Sequence, residues 1–443
     1  MKTLFNAWRI KDVRKKMMFT IVAIIIARIG TYITLPFINK DLITAFTQSS
    51  ALSFVNAMTG GALSNMSIFA LNITPYITAS IVIQVLGVAI PRLAELQKEG
   101  EYGKKQIKKY TFYITIVLAF VQSITMAIAF NKKGYLTPTT AMTMFIAIAT
   151  IVLLLTVSSV FLMWLGEQIT EKGIGQGVSV ILAVNIFSKV PSDLFGLFNK
   201  FINGKPIPTA IGATIIIVGI IVALIVFIAK LEASQTRIPI QHATRIQNGV
   251  KNQDYTFMPL KTNMAGVMPV IFASSLMQIP IFIASVTGKG NGSGVGAFIL
   301  KMFNQNSWFN ISSTTEFKYT FGVILYLVLI LFFSYFYKLV IFNPDEIADN
   351  LKKSNAIIPG VRPGKETSEH IANISKKATL KGAIGVSIIV LIPAIVSGIF
   401  HANVSFGGTS LIIIVSVAIM TYEQLKALSI QGQYTTLVKD YSL

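Results

Sequence analysis

The residues of this chain that could do chemistry are few and scattered. The three histidines, His242, His370 and His401, lie far apart, in loops or at a span end, and suggest no ligand cluster. Cysteine is absent, which removes disulfides, thiolate nucleophiles and Cys-based metal sites. No Walker-type phosphate loop occurs, so nothing in the chain points to ATP hydrolysis. No nucleophile, base or metal ligand set converges at one depth, so we expect no enzyme, no metal and no cofactor. One charge stands out. Arg28 sits deep in an apolar run, IIIARIGTY, where a charge is costly and usually faces a bundle interior or water. Function and a structural pairing with a carbonyl or carboxylate are both open to it. No apolar span carries a central Asp or Glu, the group an ion-coupled carrier usually needs. Gln122 and Asn185 also lie in spans, where such amides more often join helices than bind substrate.

The elements that must position these groups are membrane helices. Hydrophobic residues make up 53% of the 443 and charged residues only 13%, too few to wet a globular surface of this size. Mean hydropathy is +0.66. The apolar residues gather in windows of about 20, the length that crosses a hydrocarbon core as a helix. The alternating segments of about ten residues that build a β-barrel are absent. Windows near 17–37, 73–91, 111–130, 141–163, 178–197, 211–229, 264–286, 320–342, 379–400 and 406–424 predict an all-α polytopic membrane protein with ten transmembrane helices. The basic segment Met1 to Lys16 followed by an apolar run is signal-like. That run is too long for an ordinary signal peptide, so we read it as a retained span. Ten spans permit two five-span halves related by an inverted repeat and meeting near 200–210.

Charge sets the expected orientation. With the N-terminus inside, the cytoplasmic segments carry roughly 26 of the 38 Lys and Arg residues, the asymmetry of the positive-inside rule. Residues 53–72 disturb this count. They are apolar enough for an eleventh span, but a full crossing there would put Arg92, Lys98, Lys104, Lys105, Lys108 and Lys109 outside. Gly60, Gly61, Ser64 and Asn65 also make a poor lipid-facing helix. A short re-entrant piece fits better, and irregular backbone at that depth must be packed in protein or line a cavity. A loop helix lying on the membrane surface is the alternative.

Two further patterns matter. Ile77 and Ile81 repeat at i, i+4, as do Leu182 and Ile186; alone this is ordinary packing, but around a cavity such chains could form a hydrophobic constriction. Pro75, Pro269 and Pro393 can loosen their helices and specify nothing alone. The loops 231–263 and 343–378 are too long and charged for simple connectors and suit a docking surface. Their basic character also suits phosphate-rich RNA such as ribosomal RNA.

Several long blocks, in order, carry a resemblance. They are GGALSNMSIFALNITPYITASIVIQ, RLAELQKEGEYGKKQIKKYT, FLMWLGEQITEKGIGQGVS, MPLKTNMAGVMPVIFASS, FNPDEIADNLKKS with IPGVRPGKET, and FGGTSLIIIVSV. Through them the chain resembles the SecY family, central subunits of the bacterial protein-conducting channel, over essentially its whole length. The resemblance implies two inverted, pseudo-symmetric five-helix halves around an hourglass pore. It divides the chain into a cytoplasmic segment 1–16, an N-terminal half 17–200, a C-terminal half 201–424 and a cytoplasmic tail 425–443. It implies a pore ring of Ile77, Ile81, Leu182, Ile186, Ile271 and Ile413, with Met268 beside it and Leu411 and Ile412 as alternatives to Ile413. It makes 53–67 a plug, carried by Asn56, Gly60, Gly61, Ser64 and Asn65. A lateral gate would open between spans 2–3 and 7–8, to which Ile83, Gln122 and Asn263 are assigned. Arg237, Arg245, Arg362 and Lys365 would contact the ATPase SecA or the ribosome; the first of two arginines often found in that loop is Thr236 here. SecE, SecG, secretory precursors, their signal sequences and the lipid bilayer complete the implied partners. The expected function is translocation of unfolded polypeptides across the bacterial cytoplasmic membrane and their lateral insertion into it. A secondary carrier for a small solute is the rival reading.

Overall fold

The structure, a computed structural model, describes residues 8, 10–39, 56–132, 134–137, 140–201, 207–242, 255–287, 302–303, 308, 321–400 and 408–441. Ten helices stand where the ten apolar windows lie. The N-terminal group is α1 (Lys11–Gly30), α2 (Thr74–Ala89), α4 (Gly100–Lys132), α5 (Ala141–Lys172) and α6 (Gly177–Phe201), with the short α3 (Pro91–Lys98) after α2. The C-terminal group is α7 (Ile207–Ala233), α8 (Met268–Thr287), α9 (Phe321–Ile341), α11 (Lys365–Phe400) and α12 (Gly408–Tyr441), with the short α10 (Pro344–Lys353) after α9. Among the described residues seven helices are long and apolar enough to cross a membrane alone, and up to eight if α2 and α3, bent by 107°, count as one span. The bend falls at Ile90, whose extended backbone precedes Pro91. Proline disfavours the α conformation in the residue before it, so the helix stops there and restarts.

Several helices outrun the bilayer. At 33 and 32 residues, α4 and α5 are each about 50 Å long, well beyond a hydrocarbon core of about 30 Å. Their projecting ends meet through Lys108 and Glu171 at 3.6 Å. Faces that would meet lipid are apolar: Ile21, Val22, Ile25 and Ile29 on α1, and Ile215, Val218 and Val222 on α7, are exposed.

The first window departs from its expected extent. Its helix starts at Lys11 and ends at Gly30, and residues 31–37 are not helical. They strap the re-entrant piece instead: the Leu35 amide donates to the Met66 carbonyl at 2.8 Å and the Ile68 amide to the Ile33 carbonyl at 2.9 Å. Helix α1 can close onto the re-entrant piece because Gly30 lacks a Cβ, which would lie 1.9 Å from the Phe69 ring.

A second departure is a small sheet within an otherwise helical protein. The loop 231–263 forms a hairpin of β1 (Gln235–His242) and β2 (Tyr255–Lys261), and β3 (Ala356–Ile357) from the loop 343–378 adds to β1. All pairings are antiparallel, with Ile238 opposite Met258 and Gln241 opposite Ile357. Alternation buries one face: Ile238, Ile240 and Leu260 are buried, and Ile238 and Leu260 pack with Ile358 and Ile371, while Arg237, Pro239 and Phe257 are exposed.

Candidate functional site

Residues 56–73 are irregular backbone, and almost all of them are buried. This matches the demand that non-helical chain at membrane depth be wrapped in protein. A short turn at 56–58 ends where the Gly60 amide donates to Ala57 and the Gly61 amide to Asn56, both glycines adopting positive φ. Asn56 also closes the next turn through its Oδ1, which accepts from the Ser64 amide at 2.9 Å. Asn65 is exposed, and its amide reaches the Thr31 carbonyl at 3.5 Å. Residues 53–55 of the expected plug lie outside the described residues.

Four helices contribute the expected ring residues to one apolar core. Ile77 and Ile81 on α2, Leu182 and Ile186 on α6, Ile271 on α8 and Ile413 on α12 are all buried in one continuous apolar core. Met58 from the re-entrant piece belongs to the same core, and Met268 packs against it. Leu411 and Ile412 are equally buried there, so burial alone does not single out Ile413. On the side of the charged loops, a cavity of about 290 Å³ is lined by Met268, Glu232, Lys261, Asn263, Tyr337 and Met420.

The expected gate residues do not share one place. Ile83 is buried on α2, Gln122 is half-buried on α4, and α8 packs against both helices. Asn263 is buried just before α8, where its amide donates to Glu232 Oε1 at 3.0 Å and the Gly266 carbonyl at 3.1 Å. Glu232 also accepts from Ser416 Oγ at 2.8 Å, so Asn263 braces α7 and α12 within the C-terminal group. Sequence reading passed over Glu232 because the apolar window stops at 229; the helix runs on, and its end carries a buried carboxylate.

The charged loops meet in the sheet. Arg237 is exposed on β1, beside exposed Thr236. Arg362 stands on a tight turn between Gly360 and Gly364, both at positive φ, with its side chain almost fully exposed. The turn is held from below: Ile358 is buried, and Thr367 Oγ1 donates to the Arg362 carbonyl at 2.8 Å. Lys365 is exposed at the start of α11. Arg245 lies outside the described residues. Lys261 at the end of β2 pairs with Glu423 of α12, tying the sheet to that span.

The comparisons agree with this architecture. The family model for SecY matches residues 67–422. The chain is 37% identical to "Protein translocase subunit SecY" of Halalkalibacterium halodurans, covering 99% of this chain and 100% of that one. It is 37% identical to the same subunit of Escherichia coli, covering 98% and 95%. Among solved structures, "The structure of a protein conducting channel" matches with TM-score 0.68 at 17% identity, covering 95% of this chain and 93% of that one. "Sec61 in the Canine ribosome-channel complex from the endoplasmic reticulum" matches with TM-score 0.65 at 16% identity, covering 95% and 93%.

Ten long helices among the described residues, packed on one apolar core with a buried irregular segment, together with the translocase relatives, define a multi-pass protein-conducting channel subunit of the membrane. The chain belongs to the SecY family.

Proposed function

We propose that this chain works as a passive gate for unfolded polypeptides in the bacterial cytoplasmic membrane. Ile77, Ile81, Leu182, Ile186, Ile271 and Ile413 act as its gasket and residues 53–67 as its plug. The observation that carries this reading is the convergence of those six side chains and Met58 in one buried core. Branched apolar chains exclude water by dewetting and offer no fixed polar group on which a passing substrate could stick. Opening separates two groups of helices, one on each side of the core, and α8 against α2 and α4 is the seam through which a signal helix would reach lipid. Ile83 and Gln122 lie on the N-terminal side of that seam.

The chain supplies the path, and the work comes from a partner. The exposed Arg237, Arg362 and Lys365 suit an acidic or phosphate-bearing surface, and we assign them to SecA and the ribosome, ribosomal RNA included. By their titles, two of the related structures are Sec61 in a ribosome-channel complex and an Ssh1 complex bound to a ribosome. An apolar groove of about 400 Å³ between α6 and α12, lined by Val180, Phe187, Ile414 and Val417, would accept a SecE-like helix that clamps the two halves. SecG would join at the periphery. Both termini would lie in the cytoplasm, where the basic residues concentrate.

A photo-crosslinker at position 81 tests the reading. A secretory precursor stalled during export should crosslink there as its length passes the ring. Absence of any precursor adduct, with a bound small solute instead, would favour a carrier.

A further inference from the structure

We infer that Arg28 is a positioning residue for the plug, which it fixes to the N-terminal group of helices through a relay of two asparagines. This rests on the plug reading above and adds what holds the plug in place. A cation at membrane depth calls for a partner. Among the described residues no carboxylate pairs with Arg28. Its partners are Asn185 Oδ1, 3.3 Å from Nη1, and the face of Tyr32, 5.7 Å from the guanidinium carbon. The cation draws the carbonyl end of the Asn185 amide toward itself, which turns the NH2 end away. That NH2 donates to Asn72 Oδ1 at 3.3 Å, and the Asn72 NH2 donates to the Met58 carbonyl of the plug at 3.0 Å. Asn185 and Asn72 are almost wholly buried, at 3% and 2% exposure, so each bond is polarised by the one before it in a medium of low dielectric.

The plug backbone also touches the head of the relay. A Cβ on Gly60 would lie 2.6 Å from Arg28 Nη1 and 2.8 Å from the Asn185 carbonyl oxygen. Further polar ties run to the same side: Asn65 to the Thr31 carbonyl, Met66 to Leu35 of the strap, and, just past the plug, Ile68 to Ile33 and to Ser158 of α5. From the C-terminal group, among the described residues, the polar tie is Gln278 Nε2 to Met58 Sδ at 3.2 Å, and a thioether is a weak acceptor. The plug is thus held by several oxygen-accepted hydrogen bonds on one side and by a single thioether-accepted one on the other, among the described residues.

The absence of cysteine gives a clean background for the test, since Ser64→Cys introduces a single thiol. The channel, assembled with its partner subunits, is reconstituted in bilayers. Two quantities are read: resting ion conductance, and the labelling rate of position 64 by an impermeant maleimide added opposite the charged loops. Arg28→Ala should raise labelling about tenfold, the scale of one lost charge-assisted hydrogen bond, and raise conductance with it. Arg28→Lys should recover most of the seal. Asn72→Leu, at the far end of the relay, should match Arg28→Ala, and the two together should add nothing further. Unchanged labelling in Asn72→Leu, or additive effects of the pair, would reduce Arg28 to a brace between α1 and α6 and overturn the inference. Should Arg28→Ala fail to accumulate, Asn185→Leu alone and combined with Asn72→Leu decides the same question by the same criterion. A ring variant, Ile77→Asn with Ile81→Asn, separates the two levels. If it leaks and the relay variants do not, the relay fails and the gate stands; if neither leaks, the gate reading falls and takes the relay with it.

Discussion

Residues 59–73 and 358–364 are both irregular backbone with glycines at positive φ, yet they meet opposite surroundings. Gly60 is wedged against α1 and α6, and any Cβ there would press on the Arg28 side chain and the Asn185 backbone. Around Gly364 nothing lies within 4 Å of where a Cβ would be. One glycine is needed for both space and conformation, the other for conformation alone. The difference marks two uses of irregular chain. At membrane depth it is packed like a core, because unpaired peptide groups there have no water to turn to. At the charged end it is held at its base, and the Arg362 guanidinium stays exposed, 4.0 Å from the exposed Glu366 carboxylate.

Variants should break this contrast in graded steps. The largest effect on the resting structure is expected from Ile77→Asn with Ile81→Asn, which puts two amides into the apolar core. Each should cost about 1–3 kcal/mol, and the ion leak should be read in planar bilayers while membrane insertion is retained. Wild-type conductance in that variant would sink the gasket assignment. Gly60→Ala should follow, at about 2–4 kcal/mol from backbone strain and overpacking, seen as lower thermal stability of the purified channel and a raised leak. Gly364→Ala should cost only about 1–2 kcal/mol, with no leak. Equal losses at the two glycines would erase the proposed distinction. Arg362→Glu should change stability least, within about 0.5 kcal/mol, because its contact with Glu366 is 4.0 Å and exposed. Export driven by SecA should nonetheless fall at least about tenfold, the scale of losing an arginine at the centre of an interface. Normal export would remove Arg362 from the docking surface.

The sequence reveals the spans because lipid imposes one strong rule on every one of them. It also reveals the re-entrant piece, through a conflict between hydropathy at 53–72 and the charges at 92–109. What it hides is whatever depends on distant partners. Arg28 is conspicuous alone, but Asn185 lies 157 residues away, and Asn72 a further 113 residues from Asn185. Neither asparagine advertises its role locally. The sheet is hidden for another reason. Its strands include Pro239 and Pro259, expose polar residues on one face, and bury few apolar positions, so they read as loop. Asn263 is a further case: the resemblance assigns it to the gate, and the bond its amide makes to Glu232, 31 residues away, has no local signal.

The sheet has a mechanical consequence. It fastens the loop before α8 to the loop before α11, about a hundred residues apart in the chain, through two residue pairs at β3 and the packing of Ile238 and Leu260 on Ile358 and Ile371. At its other margin Lys261 and Glu423 carry load into α12, the helix that bears Ile413. A motor leaning on either loop would therefore load both, and some of its thrust would reach α12 through that ionic link.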